Sequence, residues 1–311
     1  MYLVGVVNML ITQSSIKKFQ DCEYKFKQRY LDLYREDKES EPLVMGSLVH
    51  LGLEAFLLGK ALPKALHDVE KESLSYRLCE EDSALTDRAK IFVQGYYKRY
   101  KSLHKKQYKT ISVEQEFTMQ LGDCTIGGKF DGVIQDKKTK EIILIEHKTS
   151  GDWTAKTKHG TYWQQRHNCM DTQLVIYQEA LKRMLDLDYT PRIIYDVIYK
   201  DKPKMKDLLV MGEHYQSDKA PYYREEIVYT ESDRERALWE YATLAKRIQD
   251  RMVDGNWLRN TNACRKGYGM CEFFKVCQGL ESLETSDKLT KLEKAHPELP
   301  ELMGENNGKQ I

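Results

Sequence analysis

Apolar side chains recur at the three- and four-residue spacing of amphipathic helices throughout the first hundred residues. Ser14 and Ser15, which are both suited to cap a helix, precede the first such run. The same spacing returns over residues 44–58 and 84–103. The pattern therefore predicts a helical N-terminal part, which we place at residues 12–107.

The apolar spacing shortens to two beyond this part, which is typical of strands. One run alternates from Ile111 through Val113 to Phe117, and two further strands follow it as an antiparallel meander. The third strand carries consecutive aliphatic residues from Ile142 to Ile145. Such a run suits a strand covered on both faces, so we expect it near the middle of the sheet. The three predicted strands are 111–119, 125–135 and 141–148.

Helical and strand patterns alternate in the rest of the chain. An amphipathic helix is predicted over 171–185, a strand that returns beside the central one over 192–199, and a long helix over 231–253. The predicted fold class is α/β, with a central mixed β-sheet flanked by helices. We predict one domain over 1–278, with a core at 108–200 and a C-terminal helix and cysteine cluster at 231–278, followed by a polar tail at 279–311.

Composition and charge exclude several classes of protein. Hydrophobic residues make up 41% of the 311, which permits a sizeable core. The 49 basic and 48 acidic residues give a net charge of +1, so attraction to nucleic acid would need a local patch. No apolar run approaches the roughly 20 residues of a transmembrane helix, and the apolar start, Met1 to Ile11, lacks the features of a secretory signal. We therefore expect no membrane association and a cytoplasmic protein.

Two acids and a lysine are predicted to converge at the end of the meander. Asp131 lies on the second strand, and the third ends in Glu146-His147-Lys148. Residues two apart in a strand share a face, so Glu146 and Lys148 project together, and the hairpin brings Asp131 to the same end. Neighbouring carboxylates repel unless a cation neutralises them, and oxygen ligands suit Mg²⁺ or Mn²⁺. A surface salt bridge is the alternative, and these residues alone leave both interpretations open.

Two four-residue pairs flank this constellation, Gly46-x-x-x-His50 before it and Gln173-x-x-x-Tyr177 after it. With them, the sequence resembles the RecB-like branch of the PD-(D/E)XK nuclease superfamily, which includes stand-alone phage and CRISPR-associated exonucleases. The resemblance rests on an ordered pattern of Gly-x-x-x-His, Asp, Glu-x-Lys and Gln-x-x-x-Tyr. Phe130 stands where the name of the superfamily has proline.

The resemblance implies both a fold and an activity. The fold is a restriction-endonuclease-like core, and the activity is that of a metal-dependent DNA exonuclease in recombination, repair or phage DNA processing. No Gly-x-x-x-x-Gly-Lys-Ser/Thr motif occurs, so a helicase or recombinase would be a separate partner. Lys148 is then catalytic, and Gln173 and Tyr177 support the substrate or the site geometry. The implied metal ligands are His50, Asp131, Glu146 and the carbonyl of His147. Glu116, on the neighbouring strand, is taken as a surface charge.

Three cysteines, Cys264, Cys271 and Cys277, fall within fourteen residues near the C-terminus. Structural zinc and 4Fe-4S clusters both use four thiolates, and Cys22 is the best distant candidate for the fourth. The RecB-like branch contains members whose 4Fe-4S cluster uses one N-terminal and three C-terminal cysteines, so the resemblance favours iron and sulfur. Six residues separate Cys264 from Cys271 in place of the usual two, which leaves zinc as the alternative.

A basic, tyrosine-rich stretch over 96–109 could contact phosphates and stack on bases, or could be the solvated face of a helix. Basic and aromatic residues over 151–169 are a second candidate for binding DNA. Two functions remain as alternatives to the exonuclease. One is a nuclease-derived DNA-binding subunit without turnover, and the other is a zinc-stabilised interaction protein.

Overall fold

The computed structural model describes residues 9–37, 40–76, 83–150, 156–157, 160–161, 172–200, 207–266 and 269–303. No helix among these residues is long and apolar enough to cross a membrane. The α-helices among these residues are α1 (Gln13–Asp21), α2 (Glu23–Phe26), α3 (Glu41–Leu57), α4 (Leu62–Ser73), α5 (Ser83–Gln107), α6 (Thr172–Met184), α7 (Leu208–Tyr215), α8 (Glu231–Asp254), α9 (Phe274–Cys277) and α10 (Pro300–Met303). The strands are β1 (Tyr34–Glu36), β2 (Tyr108–Leu121), β3 (Cys124–Asp136), β4 (Ile142–Ser150), β5 (Lys156–Thr157), β6 (Gly160–Thr161), β7 (Arg192–Tyr199), β8 (Tyr222–Ile227), β9 (Arg265–Lys266), β10 (Gly269–Met270) and β11 (Leu289–Lys291).

The chain divides into two compact units, each assembled from separate segments. Unit 1 comprises Met1–Lys38, Glu116–Lys129 and Glu235–Ile311. Unit 2 comprises Glu39–Gln115 and Phe130–Arg234. The long strands β2 and β3 each contribute residues to both units, since both unit boundaries in this region fall inside them.

A five-stranded mixed sheet in the order β2-β3-β4-β7-β8 confirms the predicted fold class. β4 pairs antiparallel with β3 and parallel with β7, which in turn pairs antiparallel with β8. Parallel neighbours need a crossover connection, and α6 lies in the segment that joins β4 to β7. Ile143, Leu144 and Ile145 are fully buried, as expected of a strand covered on both faces.

Helices α3, α4, α5 and α7 form the core of unit 2 together with the sheet. Gly132 of β3 allows α3 to lie close, because a Cβ at this position would meet the side chain of Leu57 at 2.6 Å. A Cβ at Gly46 would meet only Thr149 Oγ1, at the ordinary contact distance of 3.5 Å. The helix that carries His50 is therefore packed against the strand that carries Asp131.

The alternation predicted for the first strand is wrong at Ile111. Phe117 and Met119 are buried, but the side chain of Ile111 is 44% exposed. Glu114 lies between them with a φ of 49°, in the left-handed region. This departure from extended backbone is typical of a β-bulge, which shifts the side chains that follow it to the other face.

Unit 1 contains the first two helices, the hairpin end of β2 and β3, most of α8 and the C-terminal segments. Its fully buried side chains include Phe26, Ile248 and Phe273. Part of the predicted polar tail belongs to this core, since β11 pairs with β1 and both His296 and Leu299 are buried.

The apolar pattern from Ile16 to Leu33 predicts one helix, but the structure interrupts it at Cys22, and a π-helical segment, Lys27–Leu31, continues α2. Thr12 caps α1 through a capping box with Ser15, and the helix ends at Cys22, whose backbone is extended with a φ of −166°. The backbone N–H of Cys22 donates to the carbonyl of Lys18, and the carbonyl of Cys22 accepts the N–H of Phe26. The break therefore places a cysteine between two helices.

Candidate active site

Asp131 and Glu146 lie where strands β3 and β4 separate. The register between these strands is regular from Gln135 to Gly132, which pairs with Ile145, and the next residues on the two strands are the two acids. The Asp131 Oδ2 accepts the backbone N–H of His147 at 2.7 Å, and the Glu146 Oε1 accepts that of Asp131 at 3.4 Å. Side-chain carboxylates thus satisfy backbone groups at this point, and the two acids adjoin as the hairpin predicted.

His50 reaches the same place from α3. Its Nδ1 is 3.4 Å from the Asp131 Oδ1. Burial alone would lower the pKa of His50, but the charge of Asp131 and the contact with it outweigh burial and raise it. Burial likewise acts to raise the pKa of Asp131, yet His50 and His147 lower it to about 2. Asp131 is therefore an anion at neutral pH, beside an imidazole.

Glu114, which sequence reasoning passed over, is the third donor at this position. His50, Glu114 and Asp131 each offer one ligand atom, and these atoms lie within 4.8 Å of one another. In the described part of the chain, Glu146 is not a member of any such group of three. Two acids, Glu114 and Glu116, lie two residues apart on β2. Side chains two apart in a regular strand share a face, so the sequence alone does not single out Glu114 for the site.

Burial and charge act together on Glu146. The residue is only 4% exposed, and burial, followed by the negative charge of Asp131, raises its pKa well above the ordinary value. Carboxylates crowded in this way are stabilised by a cation. Carboxylate oxygens with one imidazole nitrogen suit Mg²⁺ or, better, the borderline Mn²⁺. The residues present therefore fit a divalent metal ion.

Lys148 follows Glu146 on the same face of β4, and its side chain is exposed. Its positive charge partly opposes the rise in the pKa values of Glu146 and His50, which burial and Asp131 cause at Glu146 and Asp131 causes at His50. Tyr177, on α6, packs edge to face against Phe130 with the ring centroids 5.7 Å apart. Gln173 lies one turn earlier on α6 and is partly exposed. The structure thus links Tyr177 to the residue before Asp131.

The imidazole of His147 lies on the face of β4 opposite to Glu146 and Lys148, in a buried polar network. The network consists of Tyr96, His147, Asp196 and Arg224. His147, Asp196 and Arg224 are direct neighbours across β4, β7 and β8. Arg224 donates to both carboxylate oxygens of Asp196, at 2.7 and 2.6 Å. Tyr96, on α5, donates to Asp196 at 2.5 Å and lies 3.1 Å from the His147 Nε2.

Burial lowers the pKa of His147 to about 4, so the ring in this network is neutral at physiological pH. The ring nitrogens lie 3.7 Å from Asp131 on one side and 3.7 Å from Asp196 on the other. The network therefore fixes the strand residue between Glu146 and Lys148. Sequence analysis assigned only the carbonyl of His147, because contacts across three strands depend on their register.

The four candidate cluster cysteines all lie in unit 1. The Cys22 sulfur accepts the backbone N–H of Asn260 at 3.4 Å, and the Cys264 sulfur is 3.9 Å from the carbonyl of the same residue. Cys271 donates its N–H to the carbonyl of Cys264 at 2.8 Å. Burial raises the pKa of Cys277, and the nearby Cys22 and Cys264 raise it further. Cys22 is thus close to the C-terminal cysteines, although no three of these four described sulfurs lie within 4.8 Å of one another.

In the basic, tyrosine-rich stretch at the end of α5, the charged side chains are exposed whereas aromatic rings are buried. Tyr96, Tyr97 and Tyr100 are buried in the core of unit 2, so the prediction that tyrosines of this stretch stack on bases is wrong for Tyr97 and Tyr100. The exposed basic side chains include Lys98, Lys101, Lys105 and Lys106. Most of the second candidate stretch, 151–169, lies outside the described residues.

Comparisons with known proteins find one family and several solved structures. The model of the PD-(D/E)XK nuclease superfamily matches residues 10–278. The chain is similar in fold to the crystal structure of a "putative exonuclease" from Eubacterium rectale, with 14% identity over 98% of this chain and 100% of that chain and a TM-score of 0.51. The crystal structure of SSO0001 is 16% identical over 80% of this chain and 89% of that chain, with a TM-score of 0.31. No curated protein matches the sequence.

Proposed function

The chain belongs to the PD-(D/E)XK nuclease superfamily, and from that premise we propose that it is a metal-dependent exonuclease that hydrolyses phosphodiester bonds in DNA. The observation that carries the proposal is the position of Asp131 and Glu146. They adjoin where β3 and β4 part, with His50 on one side and the exposed Lys148 on the other. This is the arrangement that hydrolysis of a phosphodiester needs, since it combines anionic metal ligands with a cation near the reacting phosphate.

Each residue has a role that follows from its position. Bound Mg²⁺ or Mn²⁺ supplies a Lewis acid that polarises a phosphate oxygen and activates water at neutral pH. His50, Asp131, Glu146 and the carbonyl of His147 would hold the ion. The ammonium of Lys148 would orient the attacking water and stabilise the charge that develops on the phosphate. Tyr177 would hold the backbone before Asp131 through Phe130, and Gln173 would act from the same helix.

The choice of exonuclease rests on the resemblance and on helices α3 and α5, which pack on the sheet beside the site and would require DNA to enter from an end. Exposed lysines at the end of α5 would contact the phosphates of that strand. The pathway would be recombination, repair or phage DNA processing, and a helicase or recombinase would be a separate protein.

Labelled linear DNA should be degraded in the presence of Mg²⁺ or Mn²⁺, whereas covalently closed circles of the same sequence should be spared. Gel analysis of both substrates in one reaction measures this difference. The control is Asp131→Asn protein of equal purity, which should degrade neither substrate. Nicking of closed circles that Asp131→Asn abolishes would instead show an endonuclease with the same metal site.

We further propose that Cys22, Cys264, Cys271 and Cys277 hold a 4Fe-4S cluster, with zinc as the alternative. The donor set is four thiols brought from both ends of the chain. The resemblance to the RecB-like branch is what favours iron and sulfur over a tetrahedral zinc site. The cluster would cross-link unit 1 and contribute to its stability.

Protein purified without oxygen should therefore be brown, with a broad visible absorption that oxidation bleaches, and should contain about four iron atoms per chain. Cys22→Ser and Cys277→Ser should each lose the iron and destabilise the fold to a similar extent. Cys124→Ser is the control, since this buried cysteine lies outside the group and its loss should leave the iron content unchanged. Zinc without iron in the wild-type protein would contradict the cluster and retain only the cross-link.

A further inference from the structure

Glu114 and Glu116 stand two residues apart on β2 but have different surroundings. Glu116 belongs to unit 1, where it accepts the backbone N–H of Leu302 at 2.9 Å. Glu114 belongs to unit 2, where it offers a carboxylate oxygen within 4.8 Å of ligand atoms of both His50 and Asp131. Only the first of the two acids therefore reaches the candidate active site.

The backbone of Glu114 accounts for this difference. Its φ of 49° is rare for a residue with a Cβ and is costly to maintain. An extended conformation at this position would keep β2 alternating without interruption, as the sequence predicted. Glu114 instead lies in the left-handed region, which interrupts the alternation, and its carboxylate lies near His50 of α3 and Asp131 of β3.

The charge of Glu114 adds to that of Asp131. Asp131 raises the pKa of His50, and burial and Asp131 raise that of Glu146; Glu114 contributes to both rises. The carboxylates of Glu114 and Asp131 and the imidazole of His50 thus meet at one point, and each added negative charge strengthens the attraction for a divalent cation. The two carboxylate oxygens of Asp131 have different partners. Oδ1 lies 3.4 Å from the His50 Nδ1, and Oδ2 accepts the backbone N–H of His147 on β4.

We propose that Glu114 is a further metal ligand, which shares with His50 and Asp131 one cation position at the β2 side of the site. This inference rests on the proposed metal-dependent function and extends it by one residue. Asp131 then joins this position to the β4 side, where Glu146 and the His147 carbonyl lie. An ion at this position would also offset the repulsion among the three carboxylates.

Binding of Mn²⁺ to the full chain without DNA tests the proposal directly. Calorimetry and electron paramagnetic resonance of free Mn²⁺ both measure affinity independently of catalysis. Glu114→Asn removes the charge and suits a positive φ, because asparagine tolerates the left-handed region better than most residues. Glu114→Gln removes the charge alone. Both variants should bind Mn²⁺ about 10-fold more weakly or worse. Glu116→Gln, which removes the same charge two residues away, should bind as the wild type does.

Thermal unfolding separates ligation from a purely structural role. Without metal, Glu114→Asn should be at least as stable as the wild type, because it relieves both repulsion and backbone strain. The stabilisation that Mn²⁺ gives the wild type should be reduced in this variant. Wild-type affinity in Glu114→Asn and Glu114→Gln would overturn the inference and leave the proposed function intact. A wild-type protein that binds neither Mn²⁺ nor Mg²⁺ would instead overturn the metal-dependent function itself.

Discussion

Replacing Glu146 with glutamine should reduce the rate of DNA hydrolysis by about 10³-fold or more while leaving the fold intact. The substitution keeps the shape of a buried side chain whose pKa burial already raises, so the neutral amide replaces it with little disturbance. It replaces the carboxylate that we propose as a metal ligand with a neutral amide. Single-turnover cleavage of labelled linear DNA measures the loss, and a urea unfolding curve shows that stability is kept.

Asp131→Asn and Lys148→Met should have effects of similar size, since one removes a proposed metal ligand and the other the cation that we propose to lie beside the phosphate. Glu141→Gln is the matched control. Glu141 is an acid just before the same strand, but its side chain is 45% exposed and pairs with Arg192. Cleavage by Glu146→Gln at the rate of Glu141→Gln would remove Glu146 from the site.

Replacing Arg224 with methionine should lower the free energy of unfolding by about 3–5 kcal/mol, because it leaves the buried carboxylate of Asp196 without its cation. Asp196 is 1% exposed, and Arg224 donates to both of its oxygens. Arg224 also stacks on the ring of Tyr100, with its Cζ 4.1 Å from the centroid, so methionine keeps part of the packing. Equilibrium unfolding in urea measures the change.

Two further variants test the cause of this loss. The double variant Arg224→Met, Asp196→Leu should recover much of the stability, since it removes the isolated charge together with its partner. Arg183→Met breaks an ion pair with Glu179 whose arginine side chain is 47% exposed, and should cost about 0.5 kcal/mol or less. Equal losses for Arg224→Met and Arg183→Met would contradict the role of burial.

The central sheet and the pairing of Asp131 with Glu146 followed from local rules. Strand alternation, four consecutive aliphatic residues and one hairpin were enough to place β4 in the sheet and the two acids at one end. These features depend on residues close in sequence, which is why periodicity detects them. The return of β7 beside β4 was also predicted, because a helical segment between two strands favours a parallel crossover.

Glu114 and the polar network could not be predicted in the same way. A single left-handed residue in a strand has no sequence signature when it is a glutamate, yet it decides which acid of β2 reaches the site. Asp196 and Arg224 sit in strongly apolar or mixed strands, and only the registers of β4, β7 and β8 bring them to His147. The tyrosines of α5 were misjudged for a related reason. Their basic neighbours suggested that they stack on bases at the surface, but Tyr97 and Tyr100 are buried in the core.

The segmented make-up of unit 1 bears on how the protein folds during its synthesis. A nascent chain that has reached Arg234 contains every segment of unit 2, but only the first two of the three segments of unit 1. The strand partner of β1 and three of the four candidate cluster cysteines are still to be made at that stage. Closing contacts over more than 200 residues is entropically costly and slow. We therefore expect unit 2 to begin folding before unit 1 is complete, and insertion of the proposed cluster would follow translation of the C-terminal segment.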